Sequence, residues 1–233
     1  MKVQFYGQGL PGISDSQYPG KLIAMEGPDG VGRSTQIALL REYLEACGYA
    51  VSSTGLKRSE LAAEGIQEAK QGHTMDALTM ALFYAADFAD RLEREIIPAL
   101  RAGFVVITDR YVYSLIARAQ VRGLDPKWIR ALYGFALVPD AVLYLRCDLE
   151  HLVPRVLNAR GFDYWESGMD FMGHNDFFQS YIAYQNRMLD TFDALGKEYK
   201  FRDIDARLSI EEVFAQLRVA VEDSVRDLRP TVS

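Results

Sequence analysis

Short, wholly apolar runs alternate with longer stretches of helical spacing along most of the chain. Leu22-Ile23-Ala24-Met25 is apolar at every position and ends in glycines, and it leads into 36–46, where Ile37, Leu39, Leu40, Tyr43 and Leu44 recur at the 3.6-residue period. The same alternation predicts a strand over 49–53, a long helix over 75–100 closing near Pro98 and Gly103, and a strand over 104–107. A helix around 127–137, a strand over 141–145, a helix from Leu149, another to about Leu195, a strand over 200–204 and a helix from Ile210 complete the series. Phe104-Val105-Val106-Ile107 has no polar position, so both its faces must meet apolar layers, as in a parallel sheet. Five strands alternating with helices predict a single three-layer α/β domain over 21–228, with a five-stranded parallel sheet and helices on both faces. Residues 1–20, with Gly7, Gly9, Pro11, Gly12, Pro19 and Gly20 and no sustained period, read as an irregular leader.

Composition narrows the function. At 49% hydrophobic and 25% charged over 233 residues the chain is neither disordered nor a disulfide scaffold. Twenty-six Lys and Arg against 32 Asp and Glu leave a net charge of −6, which excludes the positive field that nucleic-acid polymers require, so any polyanionic ligand must be held by a local cluster. No apolar stretch approaches the roughly 18 residues of a spanning helix. The first twenty residues lack the apolar segment of a signal peptide. Cys47 and Cys147, in apolar surroundings without metal-ligand spacing, read as buried free thiols, and a cytoplasmic location follows as the expectation.

Candidate chemistry begins at Gly27-Pro28-Asp29-Gly30-Val31-Gly32-Arg33-Ser34-Thr35, between a predicted strand and a predicted helix. This fits G-x-x-x-x-G-K-[ST] everywhere but the lysine, whose place Arg33 takes. Glycines let the backbone curl until its amides point at phosphate oxygens, and the helix start adds its positive dipole end. Gly27, Gly30, Val31, Gly32, Arg33, Ser34 and Thr35 are therefore candidates for the phosphates of ATP, with the Ser34 hydroxyl on Mg²⁺. Arg33 keeps the charge that compensates a migrating phosphoryl group but presents a planar fork instead of a compact ammonium. Asp109-Arg110-Tyr111 follows the buried strand, at the carboxyl end where open α/β sheets bind ligands, and the Arg110 fork suits two phosphate oxygens at once.

From about Lys21 to Val225 these motifs resemble the thymidylate kinases, in the nucleoside monophosphate kinase group of the P-loop fold. Glu26-Gly27-Pro28-Asp29-Gly30 is similar to the family's E-G-x-[DE]-G, which implies that Asp29 reaches the acceptor sugar and the neighbouring phosphate. Asp109-Arg110-Tyr111 resembles D-R-[YHF]; the resemblance puts Arg110 on the acceptor phosphate with Tyr111 beside it, and has Asp109 hold Mg²⁺ through water or orient Arg110. Counted back without a gap from Pro98-Ala99-Leu100, Tyr84 falls on the aromatic that stacks on the base and Phe88 on the arginine that reads it. A lid at about 155–176 would supply Arg155 or Arg160 to the transferring group. Departures are the acidic Phe162-Asp163-Tyr164-Trp165-Glu166, Ala117-Arg118-Ala119-Gln120 in place of A-Y-Q-G, and Ser53-Thr54-Gly55-Leu56-Lys57-Arg58-Ser59 in place of R-E-P-G-G, where Lys57 and Arg58 would supply charge.

The resemblance implies ATP-dependent phosphorylation of a deoxynucleoside monophosphate, dTMP to dTDP, with Mg²⁺, in a homodimer that uses neither membrane nor nucleic-acid polymer. Two other functions fit the same residues: a kinase for a different monophosphate, and a non-catalytic nucleotide-binding regulatory protein with a degenerate phosphate loop.

Overall fold

The computed structural model describes residues 3–13, 17–56, 59, 63–72 and 75–228. Its centre is β1 (Lys21–Glu26), buried at every position. Successive side chains of a strand point to opposite faces, and here both faces are apolar. Leu22 and Ala24 enter one core, Ile23 and Met25 the other. The strands β2 (Val51–Gly55), β3 (Val105–Asp109), β4 (Ala141–Arg146) and β5 (Arg202–Asp205) join it in the order β2-β3-β1-β4-β5, every pair parallel. Met25 lies opposite Asp109, so the loop after β1 and the motif after β3 emerge side by side at the carboxyl edge of the sheet.

Two helical layers close the sheet. On one side lie α1 (Arg33–Ala46), α7 (Leu149–Ala159) and α9 (Ile210–Val225), through Leu40, Leu44, Leu152, Val156, Leu217 and Val221. On the other lie α3 (Ala77–Arg91), a π-helical turn (Leu92–Ile96), α4 (Ile97–Arg101), α5 (Val112–Val121), α6 (Pro126–Leu132) and α8 (Phe177–Tyr199). A further helical segment, α2 (Ala63–Gly72), packs on α3. Several starts follow from local chemistry: Asp125, Asp148 and Asp176 accept amide hydrogens of the first turns of α6, α7 and α8, and Ser209 with Glu212 forms a capping box on α9.

The three-layer α/β fold with its five-stranded parallel sheet is as the sequence predicts. Differences are local. The long helix expected over 75–100 is three pieces, because the π-helical turn breaks the α-helical hydrogen-bond pattern before Pro98 starts the next segment. The helix expected over 127–137 stops at Leu132, while α2 and α5 have no counterpart in the sequence pattern. Cys147 is buried as expected, but Cys47 is exposed: it caps the end of α1 and points away from the core.

Residues of the leader lie against the domain. Phe5 bridges Leu137 in antiparallel fashion, and the amides of Tyr6, Gly7 and Val138 bond to the carbonyls of Ala136, Gly134 and Gln4. Gly7 is required at this seam, since a Cβ there would stand 2.9 Å from the Gly134 Cα. The Tyr6 hydroxyl meets that of Tyr113 and its ring packs edge-on against Tyr199.

Candidate functional site

The loop after β1 curls as a phosphate cradle must. Gly27, Gly30 and Gly32 have φ of 150°, 83° and 100°, which residues with a Cβ adopt only at a cost. The first backbone bond of α1 runs from the Gln36 amide to the Gly32 carbonyl, so the preceding amides open toward the loop, and Ser34 and Thr35 are exposed at this helix start. The Val31 side chain faces inward and is buried. Ser34 and, from the adjoining strand end, Asp109 form a hard oxygen donor set of the kind Mg²⁺ takes together with phosphate oxygens, so these residues fit the ion.

Arg33 is buried and turned back on its own loop. One terminal nitrogen donates to the carbonyls of Gly27 and Pro28, both at 2.6 Å, and its Nε donates to Asp109 at 2.7 Å. The other terminal nitrogen stands 3.8 Å from Asp29. Asp109 is therefore bonded to Arg33, while the Arg110 guanidinium bonds to Gly27, Ser114 and Asp29.

Arg110 is the non-glycine residue that follows β3 in a left-handed conformation, with φ of 71°. Such strain persists only where surrounding bonds over-determine it. Here the Arg110 amide is held by the Met25 carbonyl, its carbonyl by the Thr108 hydroxyl, and its guanidinium by Gly27, Ser114 and Asp29, the last at 2.5 Å. Behind it Glu26, fully buried, accepts from the amides of Tyr111 and Ser114 at 2.8 and 3.2 Å and from the Ser114 hydroxyl. This carboxylate caps α5 and fixes the direction of that helix. Burial pushes the Glu26 carboxyl up, against the opposing pull of Arg110.

Asp29 is the meeting point. One oxygen takes Arg110, the other takes Arg118 at 3.1 Å, and Arg33 lies just beyond. Burial works against its ionisation, yet the Arg110, Arg118 and Arg33 guanidiniums override that and hold the carboxyl well below the usual carboxylate range. The Arg110 guanidinium, buried and beside Arg33, is pulled down from its ordinary value.

Next to this cluster opens a cavity. Ala77, Met80, Ala81 and Tyr84 of α3 form one wall and Leu115, Arg118, Ala119 and Arg122 of the α5 face the other, each set at the i, i+3, i+4, i+7 spacing of a single helix face. Tyr133, Tyr184, Lys70 and the loop residues Trp165 and Glu166 close it. Tyr84, the aromatic expected to stack on the base, is one of the lining residues, and its hydroxyl has no hydrogen-bond partner among the described residues. Burial, reinforced by the charge of Asp29, pushes the Glu166 carboxyl up.

Two expected substrate residues are corrected. Phe88 lies one turn beyond Tyr84 along α3, fully buried behind Tyr133, packed edge-on against Tyr111 and Tyr133 and tilted against Phe135, so it is core and does not line the cavity. Tyr111 is likewise fully buried, its hydroxyl donating to the Leu137 carbonyl. Of the lid arginines, Arg155 donates to the carbonyls of Ala206 and Arg207 beyond β5, and Arg160 pairs with Glu166 at 2.5 Å. Lys57 and Arg58 lie outside the described residues. Arg122 and Tyr184 were not expected from the sequence, and Trp165 and Glu166 only as an acidic departure within the lid at about 155–176; the i, i+4 spacing of Arg118 and Arg122 was the readable signal, and the α8 contribution had none.

Similarity to known proteins agrees with this geometry. The family model for thymidylate kinase matches residues 25–217. The chain is 38% identical over 201 residues to a probable thymidylate kinase 2 of Saccharolobus solfataricus, covering 85% of this chain and 94% of that one. It is 31% identical over 216 residues to a probable thymidylate kinase of Thermococcus gammatolerans, at 88% and 98% coverage. Identity to a thymidylate kinase of Bifidobacterium longum is 36% over 219 residues, at 90% and 98% coverage. A phosphate loop, a strained arginine at the neighbouring strand end and a cavity beside them stand within the matched region, and the chain belongs to the thymidylate kinase family.

Proposed function

We propose that the cavity takes the base and sugar of the acceptor and that the acceptor phosphate meets the donor phosphates beside Asp29. The reaction is ATP-dependent phosphorylation of dTMP, giving dTDP and ADP, with Mg²⁺. The observation that carries the reading is the convergence of Arg33, Arg110 and Arg118 on Asp29, where the phosphate loop adjoins the cavity.

Phosphoryl transfer depends mainly on positioning and charge stabilisation, and the residues divide that work. The amides of 30–35 and the positive end of α1 hold the donor phosphates. Ser34 and Asp109 would hold Mg²⁺, which when bound neutralises charge on those phosphates. Arg33 places its charge between donor and acceptor; Arg110 grips the acceptor phosphate; Asp29 fixes the arginines and faces the acceptor sugar. Tyr84 stacks on the base. Trp165 and Glu166, in the lid at about 155–176, wall off the cavity and exclude water that would otherwise take the phosphoryl group. Of the two lid arginines we assign Arg160 to the transferring group, since its partner Glu166 lines the cavity, whereas Arg155 is tied to the segment after β5.

No described helix is long and apolar enough to cross a membrane. We place the enzyme in the cytoplasm as a homodimer; exposed Leu78, Leu82 and Phe83 on α3 offer an apolar face for the second copy.

The test is the ratio of kcat/KM for dTMP, dUMP, dCMP and dGMP in coupled ADP release. We expect dTMP to be the best acceptor and dUMP to fall below it by roughly 10–200-fold, the discrimination one methyl group provides in an apolar pocket. A higher value for dCMP or dGMP would assign another acceptor. ADP release that ignores every acceptor would sink the kinase reading.

A further inference from the structure

The cavity contains two arginines one helical turn apart, and their bonding separates them. Arg122 is fully engaged: its Nε and one terminal nitrogen hold both oxygens of Asp170 at 2.7 and 3.0 Å, and the remaining donors meet Tyr184, Arg118 and Trp165. That guanidinium braces the lid segment against α5 and α8. Arg118 is different. Among the described residues its guanidinium makes one hydrogen bond, to Asp29, and it lines the cavity.

The partner of Arg118 fixes which end of the cavity it serves. Asp29 belongs to the phosphate loop, and the same carboxylate accepts from Arg110 on its other oxygen. Two guanidinium forks thus converge on one two-oxygen anion at the phosphate end of the cavity. Carboxylate and phosphate present matching oxygen pairs to such forks. Each fork gives Asp29 one hydrogen bond, and a phosphate has the charge and the acceptor oxygens to engage their further donors beside that carboxylate.

We infer that Arg118 is a second acceptor-phosphate residue, forming with Arg110 a two-arginine clamp in which Asp29 holds both forks in position. This rests on the reading of the cavity as the acceptor site. Arg118 therefore contributes to the phosphate and not to the base, although it stands where the family's base-contacting stretch would be.

The experiment compares three probes on wild type, Arg118→Ala and Arg118→Lys: dTMP by calorimetry, and thymidine and inorganic phosphate as competitors of dTMP in turnover. For Arg118→Ala, dTMP and inorganic phosphate should each bind about 10–100-fold more weakly, the scale of one charge-assisted hydrogen bond, with thymidine unchanged within about twofold. Arg118→Lys should recover part of the loss, and its unchanged thymidine constant also reports an intact pocket. Equal weakening of thymidine and dTMP would overturn the inference in favour of a base contact or a structural role. Unchanged dTMP and phosphate binding would overturn it outright. Wild type that binds no dTMP would instead defeat the acceptor reading of the cavity, a failure distinct from either.

Discussion

Arg33→Ala is expected to reduce kcat with dTMP by roughly 10³-fold, about 4 kcal/mol of transition-state stabilisation. Two losses combine in this variant. The positive charge between the donor loop and Arg110 disappears, and so do the bonds by which Arg33 holds the Gly27 and Pro28 carbonyls and Asp109. The loop glycines would then be free to relax from the curled conformation that aims their amides inward. Arg33→Lys separates the two effects. An ammonium restores the usual residue of the motif and keeps the charge, but it cannot bridge both carbonyls and Asp109 with a planar fork. Activity within about tenfold of wild type is expected, because the positive charge matters more to phosphoryl transfer than the shape of the group that carries it. Steady-state kinetics on both variants decide it, and equal activity in wild type and Arg33→Ala would remove Arg33 from the chemistry.

Arg110 should affect the other substrate. Arg110→Ala is expected to lower kcat/KM for dTMP by about 10²–10³-fold with ATP affinity changed by less than about threefold, since its guanidinium faces Asp29 and the cavity side of the loop. Its backbone supplies an internal control. At φ of 71° alanine keeps the steric strain that glycine lacks. Arg110→Gly should therefore be more stable than Arg110→Ala by about 1 kcal/mol while being equally impaired with dTMP. Chemical denaturation and acceptor kinetics on the pair separate strain from chemistry. Lost ATP affinity with normal use of dTMP would place Arg110 on the donor phosphates instead.

The central sheet was legible in the sequence because β1, β3 and β4 are buried on both faces, so their residues read as unbroken apolar runs. The phosphate loop and Asp109-Arg110 were legible because their glycines and charges lie at fixed offsets from those runs. The cavity was not, since its walls depend on which turn of a helix faces inward. Tyr84 and Phe88 are four residues apart on one helix and look equivalent by spacing, yet Tyr133 from α6's end separates them, leaving one at the cavity and the other in the core. Counting back from Pro98 also crosses the π-helical turn, where helical spacing no longer holds. Trp165 and Glu166 are placed by bonds to the Lys70 carbonyl and from Gln185, across 95 and 19 residues, and no local pattern encodes such contacts. Cys47 departs from expectation for a related reason: apolar neighbours in sequence do not bury a residue that ends its helix at the surface.

The central claim is transfer of a phosphoryl group from ATP to dTMP at the junction of the loop and the cavity. Phosphorus NMR of the full chain with ATP, Mg²⁺ and dTMP observes that transfer directly. The dTMP resonance should be replaced by the two resonances of dTDP in step with conversion of ATP to ADP, and no inorganic phosphate should accumulate. Formation of ADP and inorganic phosphate with dTMP unchanged, or no reaction under conditions where both nucleotides bind, would contradict the account.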